Sequence, residues 1–477
     1  MNIIKSFFNR IGQNKYLQAG IGFTLASLLL RAVGFLSTPI FSRLMDPSEY
    51  GMYNTYLAFE GMFYLLIGLA LHSSIQNAKY EFAGKLNEYI SSILVIVFAS
   101  LFSWLIGVNI FYGVLQNIMG LNRLLLNILV IHSFASSIIQ ILQAKLTTEY
   151  NYKKYVIVSL LNAVLNVMIS ALLIVTCLQQ DKSLARILGT FIPITGISVV
   201  IIAQFFRLAK PKVNRQYWKF ALTYSLPIIP HGISQILLGQ FDRIMIQRII
   251  SSYASGLYSF AYSLNGISAT VTNAMQTVFT PWFYMQMNEN SEEAFEKIRK
   301  TSSRYMFALL GYSSLVMLFS PELLGILGPE EYSEAKYVCI PILMGCFFSS
   351  LYSIPTQVEY YHKKTGYIAI STVMIAALNM VLNMIFIPQY GYIASAYTTV
   401  VSYMAYFIAH YFLSVKIQGR NLFDGKVIIG VSVGNLVFGF LCLIFIDDFL
   451  IRVGLSIGVC VFLYKPLSDL IKIKKGE

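Results

Sequence analysis

Ionisable side chains inside apolar runs carry the chemistry of this sequence, because a charge in hydrocarbon is costly and persists only where it is used or paired. Arg31 lies deep in the first such run, on a stripe of Thr24, Ser27, Arg31, Gly34 and Thr38 at helical spacing. A stripe of this kind lines a water-filled cavity, and the planar guanidinium fork matches phosphate or pyrophosphate, so an anionic headgroup is the expected ligand. A structural ion pair with Glu60 in the next run is the competing reading, and the two are compatible. Glu60 itself is a candidate proton or cation site, since the matching position in the second half of the chain is Asn265. Further on, Asp242 and Arg243 are expected to pair near the outer end of their helix. His231, Gln235 and Asp242 share one face of it, and Pro227 and Pro230 should bend it. Arg43 and Arg248 stand at the outer ends of their helices. The substrate-binding candidates are therefore Arg31, Arg43, Arg248, Ser27 and Thr38, and the coupling or ion-pair candidates are Glu60, Asp242 and His231.

Other polar pairs read as glue between helices: Asn162 with Asn166, Asn379 with Asn383, Asn265 with Ser268 and Thr272, and His132 with Ser136 and Gln140. No nucleotide-binding loop, dinucleotide fingerprint, HExxH or GxSxG occurs, so no catalytic residue and no cofactor is expected. The histidines are scattered, and the 5 cysteines form no CxxC pair, which points to neither a metal site nor a disulfide framework.

These groups need helices to position them, and the composition says in what solvent. The 477 residues are 56% hydrophobic and only 12% charged, with a mean hydropathy of +0.64. That is about half the charge density of a soluble domain, too little to cover the surface of a chain this long. An integral membrane protein is implied; secreted disulfide scaffolds, cytosolic enzymes and disordered chains are excluded. About fourteen apolar runs of roughly 20 residues, each long enough to span ~30 Å of hydrocarbon, recur from residue 17 to residue 468. The first follows Lys5, Arg10 and Lys15 but contains Arg31 and outlasts a signal-peptide core, so it is read as retained.

Placing both termini in the cytoplasm puts most of the 35 lysines and arginines inside, with Arg43, Arg123, Lys182, Arg186, Arg248, Lys336 and Arg452 outside and Arg31 and Arg243 in the membrane. The net charge of +13 is thus a topology signal, reinforced by anionic inner-leaflet lipid, and not a nucleic-acid footprint. No loop can hold a soluble catalytic domain. The longest are SEEAFEKIRK (291–300), read as a short interfacial helix, and the outer stretch PELLGILGPEEYSEAK (321–336).

An internal repeat organises the runs. LNAVLNVMI (161–169) answers to LNMVLNMIF (378–386), and RLMDPSEYGMYN (43–54) to RIISSYASGLYS (248–259), matching Arg43 with Arg248, Gly51 with Gly256 and Tyr53 with Tyr258. Six helices per copy make the copies parallel. The fold class is an all-α polytopic membrane protein: a six-helix lobe over 1–206, a basic cytoplasmic linker over 207–217, a second six-helix lobe over 218–415, and two extra helices with a basic tail over 416–477.

FSRLMDPSEYGMYN, DRIMIQRIISSYASGLYSFAYSL, PELLGILGPEEYSEAKYV and NMIFIPQYGYIASAYTTVVSY, in this order along nearly the whole chain, resemble the oligosaccharide flippase family. These are the Wzx-type polysaccharide exporters of the multidrug, oligosaccharidyl-lipid and polysaccharide superfamily. The resemblance implies a V-shaped pair of lobes opening a central cavity alternately to each side. It further implies a cargo of polyprenyl (undecaprenyl) pyrophosphate-linked oligosaccharide, moved from the inner to the outer leaflet of a bacterial plasma membrane for O-antigen, capsule or exopolysaccharide synthesis. A pathway polymerase and glycosyltransferases are the protein partners it suggests; the candidate energy sources are a membrane potential and proton or sodium coupling at Glu60 or Asp242. Two relatives compete. Peptidoglycan lipid flippases also carry an arginine before Gly-Phe in the first helix, as LLLRAVGFLS does, but their second basic residue falls near Ser37 here. Multidrug exporters use an acid in the first helix, where this chain has none before Asp46. From a different class, a membrane polymerase or ligase is disfavoured by the short loops.

Overall fold

The computed structural model describes residues 15–472, and every element among them is a helix. Lys5, Arg10, Lys474 and Lys475, part of the charge pattern above, lie outside the described residues. The helices group into two compact units, one of residues up to Met45 together with Met52–Ile236, the other of Asp46–Gly51 together with Leu237 onward.

In the first unit α1 covers Lys15–Leu44, α2 Pro47–Ile67 (its first turn grouping with the second unit), α3 Ile75–Glu81, α4 Leu86–Ile110, α5 Tyr112–Met119, α6 Arg123–Thr148, α7 Tyr152–Thr176, α8 Lys182–Leu208 and α9 Arg215–Ser225. Short connections suffice because polar residues stop and start the chain at the right places. Asn122, Asn151, Asp181 and Asn214 each accept a hydrogen bond from a free N–H at the head of the following helix. α7 lies along α1 on one side and α8 on another. Its remaining face, Ile157, Leu161, Val164, Met168, Leu172 and Val175, is exposed and wholly apolar, the face a membrane-spanning helix presents to lipid.

The second unit follows α10 (Ile228–Ile249), whose first turns belong to the first unit, with α11 (Ser252–Tyr262), α12 (Asn265–Glu289), α13 (Glu292–Leu327), α14 (Ala335–Leu351), α15 (Thr356–Tyr361), α16 (Thr365–Tyr390), α17 (Ile393–Gln418), α18 (Gly425–Ile444) and α19 (Phe449–Lys472). Asp46 and Glu49 form a reciprocal cap at the start of α2, Glu49 N–H donating to Asp46 Oδ1 (2.9 Å) and Asp46 N–H to Glu49 Oε2 (3.2 Å). Just beyond it, the repeat-matched Gly51 and Gly256 meet: a Cβ on Gly51 would strike Ser252 O and the backbone of Gly256, and one on Gly256 would strike Pro47 O. The matched glycines are there for backbone contact.

Three expectations are corrected. Each apolar run falls on a helix or a helix pair, but among the described residues ten helices are long and apolar enough to cross a membrane, eleven if the bent pair Pro47–Ile67 and Leu71–Glu81 is one span. The run over 219–246 breaks at Leu226 and Pro227 between α9 and α10, Pro230 lying in the first turn of α10, which then carries His231, Gln235, Gln240, Asp242, Arg243, Gln247 and Arg248. The run over 256–283 breaks at Ser263 and Leu264. The stretch 291–300 is not a separate interfacial helix: Ser291 caps it and it runs on into the 36-residue α13, about 54 Å long. Arg186 and Arg452, assigned to outer loops by charge counting, are 6% and 4% exposed inside their units.

Candidate functional site

Arg31 is half-buried on α1; Thr24, Ser27 and Gly34 of its stripe are exposed and Thr38 is buried. Thr24 spends its hydroxyl on the helix's own Gly20 O (2.9 Å). Arg43 is exposed at the end of α1, with Nη1 on Pro39 O at 2.8 Å. Glu60 points elsewhere than the sequence suggests: its neighbours are Ser136 of α6 and the phenols of Tyr53, Tyr56 and Tyr64, and its Oε1 is buried without a hydrogen-bond partner. His132 is the satisfied bundle histidine expected of it, its Nδ1 sharing a 3.1 Å hydrogen bond with Tyr56 OH. His231 is half-buried with Nδ1 unpartnered.

The strongest polar centre of the first unit is one that charge counting hid. Arg186, one turn into α8, sends Nη1 to Asn166 Oδ1 and to Ser170 Oγ (2.6 Å) on α7. Its guanidinium carbon lies 3.6 Å from the centre of the Phe41 ring and 4.6 Å from that of Tyr53, distances at which a ring face attracts a cation. A close approach makes this possible: a Cβ on Gly189 would collide with Ser170, so α8 rests directly on α7.

In the second unit Asp242 is the counterpart. It is 2% exposed, and three neutral donors converge on it: Tyr258 OH at 2.6 Å and Thr399 Oγ1 at 2.9 Å on Oδ2, and Asn383 Nδ2 at 2.6 Å on Oδ1. Asn379 Oδ1 accepts from Asn383 Nδ2 (3.2 Å), and Thr398 donates to Asn383 Oδ1. The expected interfacial pairing of Asp242 with Arg243 is therefore replaced by a buried carboxylate in a hydroxyl and amide cage. Arg243 turns instead to the Tyr262 ring, 4.7 Å from its centre, and its Nε is buried without a partner. Arg248 is exposed at the end of α10. One asparagine of each pair read as glue, Asn166 and Asn383, thus does more than join helices: it holds a buried charge. His231 falls in the first unit and Asp242 in the second. Among the described residues no group of three or more His, Cys, Asp and Glu could hold a metal ion.

Among the described residues the chain is a helical bundle that buries a cation, Arg186, in one unit and a caged carboxylate, Asp242, in the other. The chain belongs to the polysaccharide biosynthesis protein family, whose model matches residues 17–287, more than half of it. Among curated proteins it is 25% identical over 402 residues to Lsg locus putative protein 1 of Haemophilus influenzae, covering 80% of this chain and 95% of that one. It is 22% identical over 258 residues to the probable low-salt glycan biosynthesis flippase Agl15 of Haloferax volcanii, covering 52% of this chain and 54%, about half, of that relative's length. Of solved structures, the lipid II flippase MurJ in an inward closed conformation superposes with a TM-score of 0.71 at 16% identity, over 94% of this chain and all of that one. An inward-facing multidrug resistance transporter of the MOP superfamily gives 0.66 at 12% identity, over 83% and 98%. The fold is that of the MOP superfamily, and the relatives named for an activity are flippases and transporters, not catalytic enzymes.

Proposed function

We propose that this chain is a flippase that moves polyprenyl (undecaprenyl) pyrophosphate-linked oligosaccharide repeat units from the inner to the outer leaflet by alternating access, supplying surface polysaccharide synthesis. Its place would be the bacterial plasma membrane, with both termini cytoplasmic and with membrane lipids around it. One observation carries the reading: a half-buried arginine on a polar, partly exposed stripe of an apolar α1, a cation that suits an anionic headgroup and repels cationic drugs. Arg31 would meet the pyrophosphate, Arg43 and Arg248 would draw it from the helix ends, and the hydroxyls of Ser27 and Thr38 would line its path. A pathway polymerase and glycosyltransferases are the protein partners proposed.

Coupling belongs to the buried acids. The carboxylate of Asp242, buried among Tyr258, Asn383 and Thr399, is the first candidate to take up a proton or a sodium ion. Glu60, with one oxygen unpartnered, is the second candidate. A ligand shifts a two-state equilibrium only by its differential affinity for the states, so cargo and cation would each have to hold one state better than the other.

Complementation of a flippase-null strain tests the reading, scoring surface polymer against trapped lipid-linked units at matched membrane levels. Wild type should restore polymer, Arg31→Ala should leave the units inside, and Arg31→Lys should recover part of the activity. Full activity in Arg31→Ala would remove that residue from the site. Rescue of peptidoglycan synthesis in a precursor-flippase null, or drug export, would move the cargo to another branch of the superfamily.

A further inference from the structure

A second pair of ionisable groups lies in the second unit, apart from the Asp242 cage. Glu359 on α15 and His410 on α17 are each 0% exposed, and Glu359 Oε1 lies 2.6 Å from His410 Nδ1. Two bare lone pairs repel at that distance, so a proton sits between the two atoms. The opposite ends of both side chains, Glu359 Oε2 and His410 Nε2, are buried with no hydrogen-bond partner. The rings of Tyr352 and Tyr406 pack against His410. The Tyr406 ring centre lies 4.6 Å and the Tyr352 ring centre 5.7 Å from that of His410; Tyr406 OH is engaged with Thr372 of α16, and Tyr360 follows Glu359 with Tyr284 of α12 beyond it. These titratable neighbours are phenols, uncharged at neutral pH. The next cations along the chain, Lys363 and Lys364, have exposed side chains, and His362 turns to Gln418 at 2.8 Å.

Three charge states fit the geometry. A carboxylate facing a neutral imidazole buries a whole negative charge with one oxygen orphaned. A carboxylate facing an imidazolium buries two ions, with the second oxygen of one and the second N–H of the other unpartnered. A carboxylic acid donating to Nδ1 of a neutral imidazole buries none, and leaves only a carbonyl oxygen and an N–H unmatched, the least costly of the three. The last two hold one proton more than the first.

We propose that Glu359 and His410 form a proton-binding site that the fold keeps closed to water: the pair holds one exchangeable proton as a net-neutral unit and, on losing it to bulk water, becomes a carboxylate beside a neutral imidazole. The exchange path lies at the break between α14 and α15, over Tyr352–Pro355, because α15 is a single six-residue helix and its displacement from α17 uncovers both groups.

Infrared spectra of the purified full-length protein in lipid nanodiscs, recorded across a pH series without cargo, test this independently of any transport activity. Wild type should show a protonated-carboxyl C=O band that disappears in Glu359→Gln, shifts in His410→Gln and survives in Asp242→Asn. A 15N-histidine spectrum of wild type needs no variant: one imidazole should change state over the same pH interval as that band. A wild-type band undiminished in Glu359→Gln, or no histidine resonance that moves with the band, would overturn the proposal.

Discussion

The two units solve the same problem with opposite signs. In the first, a buried cation, Arg186, is held by Asn166, Ser170 and the rings of Phe41 and Tyr53; in the second, a buried anion, Asp242, is held by Asn383, Thr399 and Tyr258. Asn166 and Asn383 are repeat-matched, and so are Tyr53 and Tyr258. The scaffold is indifferent to the sign because its groups are ambivalent. An amide offers its oxygen to a guanidinium or its NH₂ to a carboxylate by turning over, and a tyrosine offers its ring face to a cation or its hydroxyl to an anion. Duplicated helices have thus kept the cage and changed the charge, on the helix after the asparagine helix in one unit and on a helix before it in the other.

The comparison can be broken most forcefully at Arg186. Arg186→Ala strips Asn166 and Ser170 of their charged donor and opens a hole beside Phe41. It should cost about 3–5 kcal/mol, the range seen when a buried charged network loses a member, read as loss of thermal stability of the detergent-solubilised protein. Arg186→Lys should recover only part, since an ammonium lacks the flat face that lies on Phe41. An unchanged melting temperature in Arg186→Ala would show that the first centre does not hold its unit together.

Asp242→Asn keeps the shape of the second centre but removes its charge. About 2 kcal/mol of stability should go with it, since one or more donors then face a poorer acceptor, and under the coupling proposed above flux measured with and without an ion gradient should become equal. The matched tyrosines sharpen the contrast further. Tyr258→Phe removes a hydroxyl that donates to a carboxylate and should cost about 1.5–3 kcal/mol. Tyr53→Phe keeps the ring under the guanidinium and should cost less than about 1 kcal/mol, so the two melting curves should separate; coincident curves would mean that the ring face is not what Tyr53 contributes. The smallest effect belongs to Arg420, whose fork grips the exposed Glu292 at 2.6 and 2.8 Å. Glu292→Gln should leave stability unchanged at moderate salt, because water already solvates both partners.

Much of this architecture is legible in hydropathy, because a spanning helix must hide its backbone and therefore writes a long apolar run. What hydropathy averages away is the local interruption: Pro227, the turn at Ser263 and the low apolar content of α10 vanish inside a window of span length. Charge counting fails for a similar reason. Arg186 and Arg452 lie within the first turns of their helices, where an arginine in a loop and one folded inward look alike, and only the fold brings Asn166, or the bidentate Glu322, to meet them. Asp242 and the pair Asn379 and Asn383 are each visible as polar groups in apolar runs, yet nothing local joins them, for the contact between Asp242 and Asn383 spans 141 residues. Glu359 and His410 escape notice because each stands near a helix end, where a polar residue reads as interfacial.

The distance in sequence between Asp242 and its cage also sets a schedule for biogenesis. Asn383 and Thr399 lie 141 and 157 residues downstream, which at roughly 5–20 residues per second of synthesis leaves the carboxylate without its cage for about 10–30 s after it leaves the ribosome. During that interval α10, with an aspartate and two arginines, is a poor candidate for lateral release into lipid, each such residue opposing insertion at the helix centre by roughly 3 kcal/mol. α10 must therefore wait at the translocon, beside an insertase or against helices already made. Membrane integration of this segment is therefore expected to be late, timed by the arrival of α16 and α17.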